Sequence, residues 1–420
     1  MLNIAVACSQ NWDSKEAALE IASSLKSKSN ESPAFILLFA THHYQRNSGY
    51  DILLDTFCSC FPKDTQIIGG SIAGFISHEF CSTRGIAALC VFGDGLTVAV
   101  GVGRNTKLNP TGAGKECANQ ILKKLSDSNL KNRYFISFVS SAVVPSFPFF
   151  SNRKVVPKFP GISILIYLFD SLASLFQFGP GKEETIMNVF CETLGSRFVG
   201  IGGSNCDNLN LEMNFQFVGK KILTNSLVSI AFATNDDLQT NSVLGLKPAS
   251  RNTFTITSAS SSGYVVKEID DKPATVGYLE SMGWDSAFLN ERLYRTVFYF
   301  PIVEAETKVK EPRMLGLVYD TQFIFPMKAK VNIPLQIYSS SGQDLFDAMG
   351  KLVSNKRPAF IISCGTRMES LGPLIFSVKE KILDKNIVGD YLLIYCAGEF
   401  IKESDGKVRS LYQSDNSLSF

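Results

Sequence analysis

The chain has 420 residues, 45% apolar and 19% charged, with a net charge of +2 and 32 phenylalanines. That length allows two or three domains with proper cores, and that apolar content excludes a disordered chain. The near-neutral balance, with no long basic run, gives no general field for nucleic acid or an acidic membrane surface.

Residues 3–8 read as a first strand, followed by a helix over 14–26 with apolar positions at Ala17, Ala18, Ile21, Ala22 and Leu25. A hydrophobic strand over 34–40 and a helix over 50–61, ended by Pro62, come next. Residues 65–74 contain Ile-Ile-Gly-Gly-Ser-Ile-Ala-Gly, a strand running into glycines. Residues 85–92 and 96–102 read as a hairpin turned by Gly93-Asp94-Gly95. The order then recurs: a helix over 114–125, a strand over 134–140, a helix over 183–194 and a second Gly-Gly strand over 197–201. A second hairpin, 215–217 with 227–234 around Gly219, completes an internal duplication. The second copy carries an insertion, 143–182, too long for an ordinary connection.

The polar stretch 235–252 reads as the main boundary, giving a duplicated domain over 1–240 and a second domain over 253–420. In the second, 253–256 and 264–269 form a strand pair, 272–282 a short helix, and 314–325 and 330–339 strands. An amphipathic helix follows over 342–353. Then come a buried strand at 360–363, a helix at 374–383 and a strand at 391–396 that runs into Ala397-Gly398-Glu399. The expected class is α/β, with two domains, mixed sheets and an internally duplicated N-terminal domain.

The organising stretch is 197–208, Arg-Phe-Val-Gly-Ile-Gly-Gly-Ser-Asn-Cys-Asp-Asn. Gly202-Gly203 lets the backbone turn sharply and is followed at once by Ser204, Asn205 and Asp207. A strand ending in Gly-Gly-polar is either a plain turn or a ligand-binding edge. Its repetition at Gly69-Gly70-Ser71, and more weakly at Ala397-Gly398-Glu399, favours the edge. Asp207, Glu399 and Arg367 are the charged groups nearest these turns; a surface salt bridge and a ligand contact are both open for them.

Other chemistries fit less well. A serine nucleophile at Ser71 or Ser204 lacks the strict Gly-x-Ser-x-Gly elbow and a histidine in the hydrolase order. His42, His43, Cys58 and Cys60 match no standard zinc spacing, so no metal is expected. The stretch 109–115 departs from a phosphate loop, since Glu116 stands where Ser or Thr would bind magnesium. No cofactor is expected. The ten cysteines form no Cys-x-x-Cys, and the Met1 end reads as lacking a secretory signal, which predicts reduced thiols in the cytoplasm. Residues 161–179 approach the length of a spanning helix, but Asp170, Gln177 and several serines favour a buried or partner-facing segment. No membrane span is expected.

These residues together suggest a family. Gly70-Ser71-Ile72-Ala73-Gly74 and Gly200-Ile201-Gly202-Gly203 with Asp207 fit two glycine turns of one pattern. Ser363-Cys364-Gly365-Thr366-Arg367 with Leu371-Gly372, Gly398-Glu399-Phe400 and Asn416-Ser417-Leu418 follow in the expected order. In this set the chain resembles FIST proteins, whose paired FIST-N and FIST-C domains occur in bacterial signalling proteins and in some eukaryotic F-box proteins. Two positions depart from the family: Phe75 stands where glutamate is common, and Asn205-Cys206-Asp207 where Ala-Gly-Asp is common.

The resemblance implies a non-catalytic sensory module for signal transduction that binds a small, amino-acid-like ligand, rather than an enzyme. The alternative it implies is an interaction scaffold or substrate receptor of the F-box ubiquitin pathway. No F-box helix set is read before Asn3. The expected ligand site is one pocket between the domains, formed by Gly70, Ser71, Gly203, Ser204, Asn205, Asp207, Arg367, Gly398 and Glu399. Backbone amides and serines would take an anionic end, and Asp207 or Glu399 a cationic end. The apolar content of 143–182 predicts packing on the C-terminal domain, a second subunit or a protein partner.

Overall fold

The computed structural model describes residues 2–420 apart from 145–154, 157–159, 162–163, 165–166, 168–171, 209, 289–298, 308–309, 315 and 356–357. One pattern forms three times along the chain. Its first copy runs β1 (Asn3–Ser9), α1 (Ser14–Lys28), β2 (Phe35–Thr41), α2 (Gly49–Ser59) and β3 (Gln66–Ile72). A strand pair, β4 (Gly74–Ile76) and β5 (Cys81–Ser82), then leads into β6 (Ile86–Phe92). The second copy runs β7 (Thr97–Arg104), α3 (Pro110–Leu125), β8 (Asn132–Ser140), an insertion holding β9 (Val155–Val156), α4 (Glu183–Leu194) and β10 (Phe198–Asn205). It closes with β11 (Gln216–Val218), β12 (Lys221–Leu223) and β13 (Ser226–Thr234).

The third copy opens on β14 (Gln239–Val243), inside the stretch read as a boundary. A large insertion follows: β15 (Lys247–Ala259), β16 (Val265–Ile269), β17 (Lys272–Pro273), α5 (Ala274–Met282), β18 (Ile302–Glu304), β19 (Leu317–Tyr319), β20 (Gln322–Ile324) and β21 (Pro334–Ser339). The copy resumes with α6 (Gly342–Asn355), β22 (Phe360–Cys364), α7 (Gly365–Leu371), a helical stretch over 374–386 and β23 (Leu392–Cys396). It ends in β24 (Glu399–Lys402), β25 (Val408–Leu411) and β26 (Asp415–Ser419).

Local chemistry sets these elements. Asp13 caps α1 by accepting from the amides of Lys15 and Glu16, and the helix buries Ala17, Ala18, Ile21, Ala22 and Leu25. Asn109 caps α3 through the Gly112 amide, with Pro110 in the first turn, so the residues resembling a phosphate loop are a helix start. β2 and β6 are buried at every position, as expected of strands covered on both faces.

The three copies build three sheets of identical order: β1-β6-β2-β3-β11-β12, β7-β13-β8-β10-β24-β25 and β14-β26-β22-β23-β4-β5. In each, the central pair is parallel and its flanking strands are antiparallel. The crossing pairs are exchanged. β4–β5 joins the sheet of the third copy, β24–β25 that of the second, and β11–β12 that of the first. Three backbone hydrogen bonds close the circle: Cys206 N to Ser71 O at 3.1 Å, Ala73 N to Tyr395 O at 3.0 Å, and Ala397 N to Ser204 O at 2.9 Å. Phe39, Phe138 and Phe360, one from each sheet, meet in a shared core with ring centroids 5.0–6.5 Å apart. The internal repeat is therefore threefold, and the weak copy near Gly398 belongs to the third unit.

The inserted sheet has the order β18-β21-β15-β16-β20-β19-β9, with β17 beside β16. It has its own core, in which Tyr278 of α5 meets Phe323 at 5.6 Å. β9 pairs parallel with β19, so the insertion 143–182 adds a strand to the other insertion. Much of 161–179 lies outside the described residues. Among the described residues no helix is long and apolar enough to cross a membrane.

Three expectations need correction. β6 and β7 do not form a hairpin: β6 sits between β1 and β2, and β7 pairs with β13 in the next sheet. Gly219 does turn a hairpin, but between β11 and β12, while β13 lies in another sheet. Gly69-Gly70 and Gly202-Gly203 lie within β3 and β10 rather than at turns. Their need for glycine is close approach. A Cβ on Gly202 would stand 2.0 Å from the Phe400 ring and 2.4 Å from the Ser137 carbonyl.

Candidate functional site

In an α/β sheet the loops beyond the carboxyl ends of parallel strands meet around open space, and ligands bind there. A cavity of about 80 Å³ lies at such a place. Ser141 and Ala142 reach it from the end of β8, Thr366 from the first turn of α7, and Ala397 from the end of β23. The inserted sheet covers it with Leu317 and Phe325, and Val144 and Leu211 complete an apolar wall. A smaller hollow of about 10 Å³ is lined by Ser204, Gly398 and Glu399 and shares Glu183 and Tyr412 with the cavity.

Glu183 opens α4 and is buried, and its Oε2 has no hydrogen-bond partner among the described residues. Burial pushes its carboxyl up to about 7, while its own amide and the nearby Lys107 ammonium pull the other way. Lys107 follows β7 and is fully buried; its Nζ donates to Ser141 O at 2.8 Å and Ser140 Oγ at 3.3 Å. Burial pulls Lys107 down to about 8.

Glu399 accepts from the Ser414 amide and hydroxyl through Oε2, each at 3.3 Å, and its Oε1 has no hydrogen-bond partner among the described residues. Burial raises this carboxyl well above the usual range. The repeat explains half of this arrangement. Glu399 pairs with Gly203 as Gln216 pairs with Gly70, and Gln216 Oε1 accepts from the Ser226 amide at 3.2 Å.

The other expected site residues sit behind this surface. Ser71 is buried, with its hydroxyl accepting from Phe215 N at 3.0 Å. Asn205 donates to Ser71 O at 3.1 Å, so the first two glycine strands do adjoin. A Cβ on Gly70 would strike the Asn205 side chain at 2.4 Å, and one on Gly203 would strike Ile362 at 2.8 Å. Arg367 is buried, paired with Asp415 at 2.6 Å, and donates to the carbonyls of Leu244 and Gln413.

Asp207 accepts from Leu211 N at 2.9 Å, Glu212 N at 2.7 Å and Met213 N at 2.8 Å. It therefore folds the loop that carries the cavity-wall residue Leu211. Asp207→Ala is expected to loosen that loop, raising hydrogen exchange at Leu211, Glu212 and Met213 at least about tenfold, the scale of one lost charge-assisted bond.

Sequence reading did not find Lys107, Glu183, Ser141, Thr366 or Tyr412 as contributors. Glu183 carries the ordinary signature of a solvated first-turn acid, and Lys107 that of a polar turn. Only the fold shows that the second insertion lines the cavity beside Glu183 and that Lys107 is buried against Ser140 and Ser141. Among the described residues no group of three or more His, Cys, Asp or Glu is placed to hold a metal ion.

Comparison with known proteins adds the following. The family model for the FIST N domain matches residues 34–272, more than half of the chain. No curated protein matches. Among solved structures, the cyanuric acid hydrolase from A. caulinodans aligns over 58% of this chain and 71% of its own, at 4% identity and a TM-score of 0.26. The match over 34–272 spans β3, β8, β10 and β13, the strands that hold both Gly-Gly pairs and one wall of the cavity, and on it the chain belongs to the FIST family.

Proposed function

We propose that this protein is a non-catalytic sensory module that binds a small molecule in the cavity beneath the inserted sheet and acts in the cytoplasm in signal transduction. Family membership supports sensing and ligand binding. The observation that carries the place is the floor of the cavity. Glu183 lines the cavity and, with Glu399, the small hollow beside it, and each of these buried carboxyl groups keeps one oxygen without a hydrogen-bond partner among the described residues. A buried polar atom left unpaired costs free energy, and a ligand that pairs with it recovers that cost.

In this reading Ser204, Gly398 and Glu399 contact the ligand, joined by Glu183, Thr366 and Tyr412. Gly70, Ser71, Gly203, Asn205, Asp207 and Arg367 set the backbone around them. The test is a thermal-shift screen of small metabolites against the full chain and against Ala142→Phe, which fills the cavity. Hits should raise the melting temperature of the wild type and lose at least about tenfold in affinity in the variant, as expected when a larger side chain occupies a formed pocket. Hits that bind both proteins equally would place the ligand elsewhere.

A second reading, an interaction scaffold or substrate receptor linked to F-box ubiquitin ligases, has one supporting observation. Ile164, Tyr167, Leu175 and Phe176 of the insertion are all more than half exposed. Clustered exposed apolar side chains mark contact surfaces.

A further inference from the structure

We infer that the ligand of this cavity carries a carboxamide-type head, an N–H donor beside a carbonyl acceptor, on a short apolar body. This rests on the cavity being a ligand site. The two unpaired floor atoms, Glu183 Oε2 and Glu399 Oε1, belong to side chains at least nine-tenths buried that line the same hollow. They differ in what they offer.

Glu399 Oε2 already accepts from the amide and hydroxyl of Ser414, so a proton on this acid resides on Oε1. Burial and the neighbouring Asp415 both favour that protonated form. Oε1 is then an O–H donor. Burial raises the Glu183 carboxyl to about 7 and the nearby Lys107 ammonium opposes that rise, so at pH 8 the ionised form prevails and its free oxygen is an acceptor.

One donor and one acceptor on the same floor match the C=O and N–H of an amide. An ammonium offers no acceptor to Glu399, and it adds a second cation beside Lys107. A carboxylate offers no donor to Glu183 and sets like charges together. Above the floor, Val144, Leu211, Leu317 and Phe325 accept only an apolar group.

Three ligands of similar shape separate these cases: isovaleramide, isovalerate and isopentylamine, titrated calorimetrically into the full chain at pH 8. Isovaleramide should bind at least about tenfold more tightly than the other two, the effect of one mismatched buried hydrogen bond. Glu399→Gln should keep affinity within about threefold, because its NH₂ donates where the acid O–H did, and Gln216 shows that the fold accepts glutamine at the matching position. Glu399→Met should lose about tenfold or more, with a melting curve confirming that it is folded. The inference is overturned if the amine or the carboxylate binds as tightly as the amide, or if Glu399→Gln loses as much as Glu399→Met. Silence from all three, while the metabolite screen yields hits lost in Ala142→Phe, overturns the amide head alone. A screen with no hit in either protein overturns the cavity reading with it.

Discussion

Arg367→Met is expected to destabilise the protein by about 3–5 kcal/mol, the cost of leaving one member of a buried ion pair alone. The Arg367 and Asp415 side chains are 1% and 0% exposed, and 2.6 Å separates them. The guanidinium also binds the carbonyls of Leu244 and Gln413, so one side chain joins α7, the segment after β14 and the approach to β26. Methionine keeps the volume and removes every one of these bonds. The double variant Arg367→Met/Asp415→Leu should regain most of the loss, since a buried pair can be replaced by apolar groups at little cost. The second unit supports this. Val139 lies between Ser204 and Leu227, as Ser363 lies between Tyr395 and Asp415, so leucine already holds the corresponding place there. Urea denaturation of the single and double variants checks both expectations; a double variant no more stable than the single one would show that the pair holds the fold through geometry, not through charge balance.

Gly202→Val is expected to cost on the order of 3 kcal/mol or more and to lower soluble yield sharply. β10 is central, with β8 on one side and β24 on the other. The new Cβ would press on the Phe400 ring on one side and the Ser137 carbonyl on the other. A strand caught between two partners cannot move away from both. Thermal melting of the variant reads the effect, and a midpoint within a degree of wild type would mean that β24 can lift from β10.

These two residues also show where sequence reading ends. The strands and helices followed from periodicity and punctuation: α4 falls on 183–194 as expected, and α6 and β22 differ from expectation only at their C-terminal ends. The Gly-Gly pairs were visible but their role was not. A glycine needed for a turn and one needed for a neighbouring ring look alike in one dimension, because Phe400 is 198 positions from Gly202. β6 and β7 failed for a related reason. Gly93-Asp94-Gly95 is a sound turn, but a turn fixes only a change of direction, not which sheet the next strand enters. The third unit was obscured by the insertion between β14 and α6, which separates its first strand from the rest. Ser204, Gly398 and Glu399, which line the small hollow, stand beside glycine strands and so drew attention in the sequence. Glu183 and Lys107 did not, since the inserted sheet beside Glu183 and the end of β8 beside Lys107 are distant in sequence and no local signal names them.

The circular exchange of crossing strand pairs bears on how the chain comes off the ribosome. The first unit cannot complete its sheet until β11–β12 of the second exists, and the second waits for β24–β25 of the third. In return, β4–β5 is made early and has no partner strand until β23 is synthesised, some three hundred residues later. A nascent chain therefore carries open strand edges for most of its synthesis, the condition under which chains pair wrongly with one another. Contacts of such long sequence separation also slow folding. Truncation before β24 should leave no stable smaller protein, since it removes β24 and β25 from the second sheet and β26, which lies between β14 and β22, from the third. Cells making this protein would depend on chaperones that shield edges until the final strands arrive.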